Sequence, residues 1–309
     1  MIDKYRIFQE NKNSNRDLPS KKRRFVMLHF KGKTAVITGG SSGIGLATAE
    51  CLAKAGANVF LVARNVARLR TAAAKIREIA GIGEVAIFPG DVRRQSQMHQ
   101  TMAHAAKWGG TDRIDILVNS AGITHPGYFS SLTEDTFAGL METNYFGTLN
   151  AIRAAYPYMA NHYQGHIVIV SSVAGHMGVY GYSAYASTKA AVTVLGETLS
   201  DEFRPLGINV SIVFPPDTYT PQLVQENRIK PPETKAISGN IKPVMPAVIG
   251  TAILAGIRKK RLYILPGVQN KILFYLGRPL APLLHWYVGH IVKNVQSQQL
   301  QSGLAEIPR

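Results

Sequence analysis

From Thr34 onward, short apolar runs alternate with longer segments in which apolar and charged residues recur at helical spacing. The apolar runs span four to six residues and lie at 34–38, 58–63, 84–88, 115–118, 166–170, 208–213 and 262–265. The helical segments between them include Ile44–Ala55, Val66–Ile79, Gln97–Lys107, Phe146–Met159 and Tyr185–Phe203. Mostly apolar strands joined by crossover helices are typical of a parallel sheet covered on both faces. The pattern predicts an α/β fold: a single doubly wound Rossmann-fold domain with about seven parallel strands.

The two ends of the chain differ from this core. Residues 1–30 are polar and basic, which predicts a disordered tail, and they contain no apolar stretch of a secretory signal. Met27 lies just before the expected domain and is a candidate for the true translation start. We expect the domain to cover residues 31–268, with a substrate loop near 215–245. Residues 269–309 form an appendage that is first apolar and then polar, and the apolar part is expected to be helical.

The apolar part of this appendage contains no run of eighteen apolar residues, so a simple transmembrane helix is not expected. The residues that interrupt it are Gly277, Arg278, Pro279 and Pro282. Trp286 and Tyr287, with Lys and Arg nearby, favour an anchor that lies in a membrane surface. The alternative is a pair of helices that packs on the body or on a partner subunit.

The formal net charge of +16 suggests nucleic acid or an acidic membrane as a partner. Most of the excess lies at the ends: residues 1–26 carry eight Lys/Arg against three Asp/Glu, and residues 258–309 carry eight against one. The middle is nearly balanced, as in an enzyme core. The cluster Lys21–Arg24 would attract nucleic acid, but no recognition motif accompanies it, so no nucleic-acid partner is predicted.

The single cysteine predicts no intrachain disulfide, and the histidines predict no metal site. Cys51 is the single cysteine, so it forms no intrachain disulfide, and its apolar neighbours predict a buried small side chain. A reducing compartment follows as an expectation. His285 and His290 lack a carboxylate or thiol at ligand spacing, so no metal site is predicted.

A glycine-rich turn follows the first predicted strand and opens a helix. It consists of Thr38, Gly39, Gly40, Ser41, Ser42, Gly43, Ile44 and Gly45. Glycines at such a turn let backbone amides approach a pyrophosphate at the helix N-terminus, which predicts a dinucleotide site. The turn also matches the G-x-S-x-G motif of hydrolases, with Ser41 as nucleophile. That alternative is disfavoured because it leaves Gly45 unexplained and the acid and histidine partners unassigned.

Strand two ends at Arg64, with Arg68 one helical turn later. An acidic residue at this position would bind the ribose 2′-hydroxyl and repel a 2′-phosphate. A guanidinium instead suits a phosphate, through its charge and its forked geometry. The two arginines predict NADPH/NADP as the cofactor, unless both are merely solvated charges on a helix face.

Tyr185 and Lys189 lie four residues apart on a predicted helix, hence on one face. Tyrosine ordinarily ionises near pH ~10, too high for efficient proton exchange at neutrality. An ammonium about 4 Å away is worth at most roughly 4 kcal/mol at an effective dielectric near 20. It could therefore lower the phenol's pKa by about three, so the pair suggests a general acid.

Other polar residues follow neighbouring apolar strands. Ser171 and Ser172 follow the run that ends at Val170, Asn119 ends strand four, and Asn144 opens a later helix. Open α/β sheets bind ligands at the carboxyl ends of their strands. Together with these residues, the tyrosine–lysine pair is a more specific indication of an active site than it is alone.

These motifs together resemble the short-chain dehydrogenase/reductase family over about residues 31–265. The resemblance implies that Tyr185 protonates a substrate carbonyl oxygen to which Ser172, rather than Ser171, donates a hydrogen bond. Lys189 would lower the tyrosine pKa and hold the nicotinamide ribose, and Asn144 would position a water that relays protons. Family members are often dimers or tetramers, which allows a homo-oligomer here.

The resemblance also implies a set of cofactor contacts, with Asp91 next to adenine. The expected contacts are Gly39, Ser41, Ser42, Gly43, Ile44, Gly45, Arg64, Arg68, Asp91, Val92, Asn119, Ala121, Gly122, Tyr185, Lys189, Pro215 and Thr218. The chain departs from the usual family pattern at Ser120, where a second Asn is common, and at Pro216, where Gly usually follows Pro215.

The segment Pro215–Pro221 and the residues after it are similar to the 3-ketodihydrosphingosine reductases. That similarity implies reduction of the keto group of a long-chain sphingoid base with NADPH, at the cytosolic face of a membrane. In a eukaryote this would be the endoplasmic reticulum membrane. The alternatives are a reductase of another ketone, such as a 3-oxoacyl thioester or a steroid, and a non-catalytic dinucleotide sensor.

Overall fold

The computed structural model describes residues 29–79, 83–239 and 242–301. The predicted basic tail lies almost entirely outside these residues, and so do Met27 and the cluster Lys21–Arg24. The last eight residues of the appendage also lie outside them.

Seven parallel strands form one sheet in the order β3-β2-β1-β4-β5-β6-β7. The strands are β1 (Thr34–Thr38), β2 (Asn58–Ala63), β3 (Val85–Pro89), β4 (Ile116–Asn119), β5 (Gly165–Val170), β6 (Ile208–Val213) and β7 (Tyr263–Ile264). The order reverses direction at β1, which pairs with β2 on one side and with β4 on the other. This is the predicted doubly wound Rossmann topology, with its switch point at the end of β1.

Helices cover both faces of the sheet. They are α1 (Gly43–Lys54), α2 (Val66–Ile79), α3 (Gln95–Trp108), α4 (Glu134–Met141), α5 (Gly147–Ala160), α6 (Ser183–Glu202), α7 (Pro221–Ile229), α8 (Pro232–Ser238), α9 (Pro246–Arg258), α10 (Val268–Leu276) and α11 (Ala281–Gln301). Side chains of a strand alternate between the faces: Ala35 and Ile37 join the core cluster under α1 and α9, whereas Val36 joins the cluster under α3 and α5. Two packed cores therefore hold the strand ends in place.

The structure differs from the sequence expectations in three places. Asn144 does not open a helix, because it lies inside the π-helical segment Glu142–Phe146 that joins α4 to α5 without a break. The expected substrate loop contains two helices, α7 and α8. Cys51 is half-buried rather than buried, and its Sγ lies 4.0 Å from Thr251 Oγ1 of α9.

The appendage is helical, as predicted, and α10 is attached to the edge of the sheet. Asn270 of α10 is buried and its side-chain amide donates to the carbonyl of Phe214. The ring of Phe274 stacks on His176 at 4.2 Å between centroids, and His176 follows Ser172 by four residues. None of the helices that the structure describes is both long and apolar enough to cross a bilayer.

Candidate active site

The glycine-rich turn folds tightly at the end of β1. Gly39 and Gly43 have φ angles of 68° and 57°, which L side chains rarely adopt. A Cβ added to Gly45 would overlap the carbonyl oxygen of Gly39, so only glycine fits there. Ser42 caps α1 in an extended conformation without a side-chain hydrogen bond, and the first turn has no acidic residue. The N-terminus of α1 is therefore suited to an anionic group.

A cleft at this edge of the sheet is lined by segments that follow β1, β2, β3 and β4. The lining residues are Gly39, Ser41, Val62, Ala63, Arg64, Asn65, Arg68, Gly90, Asp91, Val92, Ala121, Gly122, Ile123 and Thr143. Eight of the expected cofactor contacts are in this set. The four strands bring them together because parallel strands present their carboxyl ends at one edge.

Arg64 and Arg68 lie on the cleft wall that continues β2. Asn65 Oδ1 accepts a 2.9 Å hydrogen bond from the Arg68 amide, which fixes the start of α2 and so the spacing of the two arginines. Among the residues that the structure describes, neither guanidinium forms an ion pair. The wall therefore carries two positive charges without an ion-pair partner in the part of the chain that the structure describes.

Two further polar residues at this edge of the sheet behave differently from each other: Asp91 lines the cleft, and Asn119 ends β4. Asp91 forms a bidentate ion pair with Arg93, with 2.6 Å between Oδ2 and the guanidinium, and these bonds hold the pKa of the Asp91 carboxyl below its ordinary value. Asn119 is only 3% exposed, and neither its Oδ1 nor its Nδ2 has a hydrogen-bond partner among the described residues. An unpaired buried amide is costly, so Asn119 is a group that a bound molecule would satisfy.

Tyr185, Ser172 and Lys189 meet at the carboxyl end of β5. A hydrogen bond from the Ser172 side chain favours the ionised form of the Tyr185 phenol. Lys189 Nζ lies 5.7 Å from the centre of the Tyr185 ring and donates a 2.9 Å hydrogen bond to the Val170 carbonyl. A Cβ added to Gly122 would lie 3.5 Å from Lys189 Nζ, which places the ammonium beside the nucleotide cleft.

The two neighbouring serines have different surroundings. Ser171 is buried, and its hydroxyl donates a 3.0 Å hydrogen bond to the Lys189 carbonyl and contacts Thr193 Oγ1 at 2.8 Å. Ser171 therefore holds α6 against β5. Ser172 is the serine that affects the phenol, since its side chain favours the ionised form of Tyr185, and the choice of Ser172 over Ser171 as the catalytic serine stays a prediction.

The balance of pKa effects at Tyr185 is opposite to the expectation from sequence. Burial raises the pKa of the phenol, the negative charges of Glu226 and Asp217 raise it further, and the hydrogen bond from Ser172 only partly offsets them. Burial also lowers the pKa of Lys189 to about 8. The expectation treated the effect of the lysine charge as an upper bound, to be reduced by desolvation of the lysine. It did not count the loss of water around the phenol, which is the largest effect on the pKa of Tyr185.

Asn144 connects the cleft to the tyrosine helix. Its Nδ2 donates to the Ile123 carbonyl at 3.0 Å and to Thr188 Oγ1 at 2.9 Å, and its Oδ1 accepts from the Ile123 amide at 2.8 Å. The hydrogen-bonding capacity of this side chain is nearly filled by protein groups. The geometry gives Asn144 a positioning role, and its role as a holder of a water stays a prediction.

The segment after β6 closes the site from the other side. A Cβ added to Gly43 would lie 3.1 Å from Thr220 Cγ2, so this segment passes over the glycine-rich turn. Pro215 and Thr218 are both buried, and the Thr218 hydroxyl donates to the Pro216 carbonyl at 2.7 Å. Neither lines the cleft among the described residues, so their predicted cofactor contacts stay predictions.

A group of residues on this side was not identified as functional from sequence. Tyr182 donates a 2.7 Å hydrogen bond to Glu226 Oε2, and Lys230 Nζ lies 3.4 Å from Asp217 Oδ2 and 3.9 Å from Glu226 Oε2. The rings of Tyr182 and Tyr185 are 5.7 Å apart. Two signals in the sequence concern this group: the similarity of this segment to the 3-ketodihydrosphingosine reductases, which assigned no role to the individual residues, and the four-residue spacing of Glu226 and Lys230, which is common on solvated helices.

Comparison with known proteins identifies the family. A family model described as short chain dehydrogenase matches residues 33–230. A 3-ketodihydrosphingosine reductase of Dictyostelium discoideum is 36% identical over 267 residues, covering 82% of this chain and 80% of that protein. One of Bos taurus is 38% identical over 231 residues, covering 74% and 69%.

Solved structures agree. A short chain dehydrogenase/reductase family protein is 31% identical with a TM-score of 0.66, covering 76% of this chain and 96% of that one. Levodione reductase is 25% identical with a TM-score of 0.71, covering 78% and 99%. The chain therefore belongs to the short chain dehydrogenase family, whose members are oxidoreductases that use a nicotinamide dinucleotide.

Proposed function

We propose that this protein reduces 3-ketodihydrosphingosine, or a closely similar long-chain ketone, with NADPH, and that Tyr185 donates the proton. The observation that carries the proposal is the meeting of the Tyr185 phenol, the Ser172 hydroxyl and the Lys189 ammonium beside a cleft with two arginines. The relatives named as 3-ketodihydrosphingosine reductases supply the substrate class.

The residues of the cleft fit a nicotinamide dinucleotide. The N-terminus of α1 suits its pyrophosphate, the orphaned amide of Asn119 needs a partner, and Arg64 and Arg68 suit a 2′-phosphate. Lys189, beside Gly122, is placed to hold the nicotinamide ribose. When bound, the dinucleotide supplies the hydride that reduces the carbonyl carbon.

Tyr185 and Ser172 act on the carbonyl oxygen. The raised pKa of Tyr185 keeps the phenol protonated at neutral pH, which is the form that a proton donor needs. As negative charge develops on the substrate oxygen, the Ser172 hydroxyl stabilises it and the phenol transfers its proton. Lys189 then stabilises the phenolate that remains, because its ammonium lies close to the ring.

We further propose that α10 and α11 lie in a membrane surface, from which the lipid substrate enters. Large apolar side chains of these helices and of the turn between them are exposed: Val268, Ile272, Tyr275, Leu276, Leu280, Leu283, Trp286 and Tyr287. Lys271 of α10, Arg278 of the turn between the helices and Lys293 of α11 are exposed and suit anionic headgroups. Phe274 and His176 join α10 to the loop after Ser172, so this surface lies next to the reacting groups.

The enzymatic proposal is tested by NADPH oxidation with 3-ketodihydrosphingosine in detergent micelles. We expect wild-type turnover, whereas Tyr185→Phe loses at least about a thousandfold in kcat and keeps its affinity for NADPH, because the ring and its packing remain. A Tyr185→Phe variant with substantial activity would remove the phenol from the mechanism.

The membrane proposal is tested by cosedimentation of the full chain with vesicles of neutral and anionic phospholipid. Replacement of Trp286 and Tyr287 by Ser removes two exposed aromatic side chains and should weaken vesicle binding about tenfold or more. Tyr163→Ser is the matched control, since Tyr163 is 70% exposed in the loop between α5 and β5. Equal binding by all three proteins would refute a membrane role for α11.

A further inference from the structure

The segment after β6 and the helix α7 that follows it contain buried charged groups that the proton transfer does not use. Glu226 of α7 is 8% exposed and Lys230 is 5% exposed. Asp217 is partly exposed and lies between the end of β6 and α7. Hydrogen bonds from Tyr182 and Gln222 hold the two carboxylate oxygens of Glu226 in place.

The charges of this group do not cancel. Two carboxylates, Glu226 and Asp217, surround one ammonium, that of Lys230. Uncompensated charge in a buried position is costly, and burial correspondingly raises the pKa of Glu226. A second cation would balance the group.

This group adjoins the reacting atoms. Tyr182 bonds Glu226 and its ring is 5.7 Å from that of Tyr185, so only one ring separates the carboxylate from the proton donor. The charge of Glu226 influences the Tyr185 phenol. The Glu226 carboxylate therefore lies one aromatic ring away from the group that would contact a substrate carbonyl oxygen.

We propose that Glu226, assisted by Asp217, binds the ammonium group of an amino ketone substrate and so determines specificity. This inference rests on the proposed function, in which the substrate is a sphingoid ketone. In such a molecule the carbon next to the carbonyl carries the amine, so one end of the substrate presents a carbonyl oxygen to Tyr185 and an ammonium to Glu226. A 3-oxoacyl thioester or a steroid lacks that cation.

Binding of the ammonium would also act on the proton donor. Neutralising Glu226 removes the negative charge that opposes ionisation of Tyr185. Transfer of the phenolic proton therefore becomes easier when the correct substrate is present. An uncharged ketone gains neither the ion pair nor this assistance.

The test compares two substrates of equal chain length: 3-ketodihydrosphingosine and the analogue with a hydroxyl in place of the amine. For the wild type, we expect kcat/KM for the amino ketone to exceed that for the hydroxy ketone by about a hundredfold, since a buried charged hydrogen bond is lost. Glu226→Gln should lower kcat/KM for the amino ketone about 10- to 100-fold. It should leave kcat/KM for the hydroxy ketone unchanged or modestly raise it, because the variant no longer opposes ionisation of Tyr185.

Glu233→Gln is the matched control. Glu233 is another buried glutamate of this region; it lies in α8 and accepts a hydrogen bond from the Tyr128 hydroxyl. It should preserve the preference for the amino ketone. The affinity for NADPH and the unfolding temperature of each variant report on correct folding.

The outcomes are distinguishable. If the wild type reduces both ketones equally well, the ammonium site is refuted whatever the variants do. If Glu226→Gln lowers kcat/KM for both ketones to the same extent, Glu226 is structural and the proposal also fails. If the wild type reduces neither ketone with NADPH, the failure lies in the proposed function itself.

Discussion

Arg64→Ala provides the most direct test of cofactor selection. Arg64 is exposed on the cleft wall at the end of β2, forms no ion pair with the described residues and lines the same cleft as the glycine-rich turn. Its removal should change little in the folded protein. The loss should instead appear in binding of a dinucleotide with a 2′-phosphate.

The expected magnitude follows from the exposure of the site. A guanidinium about 4 Å from one phosphate charge is worth roughly 4 kcal/mol at an effective dielectric near 20, and solvent and salt reduce this for an exposed group. A charge-assisted hydrogen bond is worth about 1.5–3 kcal/mol, which is about 10- to 150-fold in affinity. We expect Arg64→Ala to raise the Kd for NADPH by about 10- to 100-fold and the double variant with Arg68→Ala to raise it further.

The assay is calorimetric titration of the full chain with NADPH and with NADH, at low and at high salt. The Kd for NADH should change by less than about threefold, because NADH carries a free 2′-hydroxyl. Arg70→Ala is the matched control. Arg70 is exposed on α2, the helix that also carries Arg68, and it is not among the described residues that line the cleft. Equal losses for both dinucleotides, or a wild type that prefers NADH, would refute the assignment.

Three other predictions concern the serines, the glycine-rich turn and a buried histidine. Ser172→Ala should reduce kcat about 10²- to 10³-fold with unchanged NADPH affinity. Ser171→Ala should mainly lower the unfolding free energy, by about 1–3 kcal/mol in a urea titration. A loss of kcat in Ser171→Ala and of stability in Ser172→Ala would contradict these roles. Gly45→Ala should cost about 1–3 kcal/mol and weaken NADPH binding, because its Cβ overlaps the Gly39 carbonyl, and wild-type stability would contradict that packing. Burial lowers the pKa of His166 from 6.5 to about 3. Between these pH values the unfolded chain binds a proton that the folded protein does not bind. The stability that the neutral histidine confers is therefore present above pH 6.5 and is lost as the pH falls toward 3. Between pH 6.5 and pH 4 the free energy of unfolding of the wild type should fall by about 3 kcal/mol more than that of His166→Gln. Parallel plots of unfolding free energy against pH for the two proteins would show that the histidine titrates normally.

The strands and helices were predictable because each depends on a local pattern. The apolar runs correspond to the seven strands within one or two residues, as at β3, where 84–88 was expected and Val85–Pro89 is found. The convergence of Asn119, Ser172 and the glycine-rich turn was predictable for a similar reason, since parallel strands present their carboxyl ends at one edge. The π-helical segment around Asn144 leaves no such pattern, because one extra residue per turn hardly changes the apolar spacing.

The charged group around Glu226 could not be predicted for a different reason. A glutamate and a lysine four residues apart are common on exposed helices, and only tertiary packing makes Glu226 and Lys230 buried. The contact with Tyr182 joins residues 44 positions apart in the chain. Burial decides what these charges do, and burial is set by where α7 lies relative to α6.

The proton donor shows why this matters for function. From the sequence alone, Lys189 was expected to make Tyr185 acidic, whereas in the folded protein burial and the nearby carboxylates favour the protonated phenol. The two results are compatible with one mechanism, because a proton donor must hold its proton until the ketone accepts it. An alkoxide is more basic than a phenolate, so transfer remains favourable once the alkoxide develops. The ammonium of Lys189 then stabilises the phenolate most strongly after the transfer, because it lies 5.7 Å from the centre of the ring.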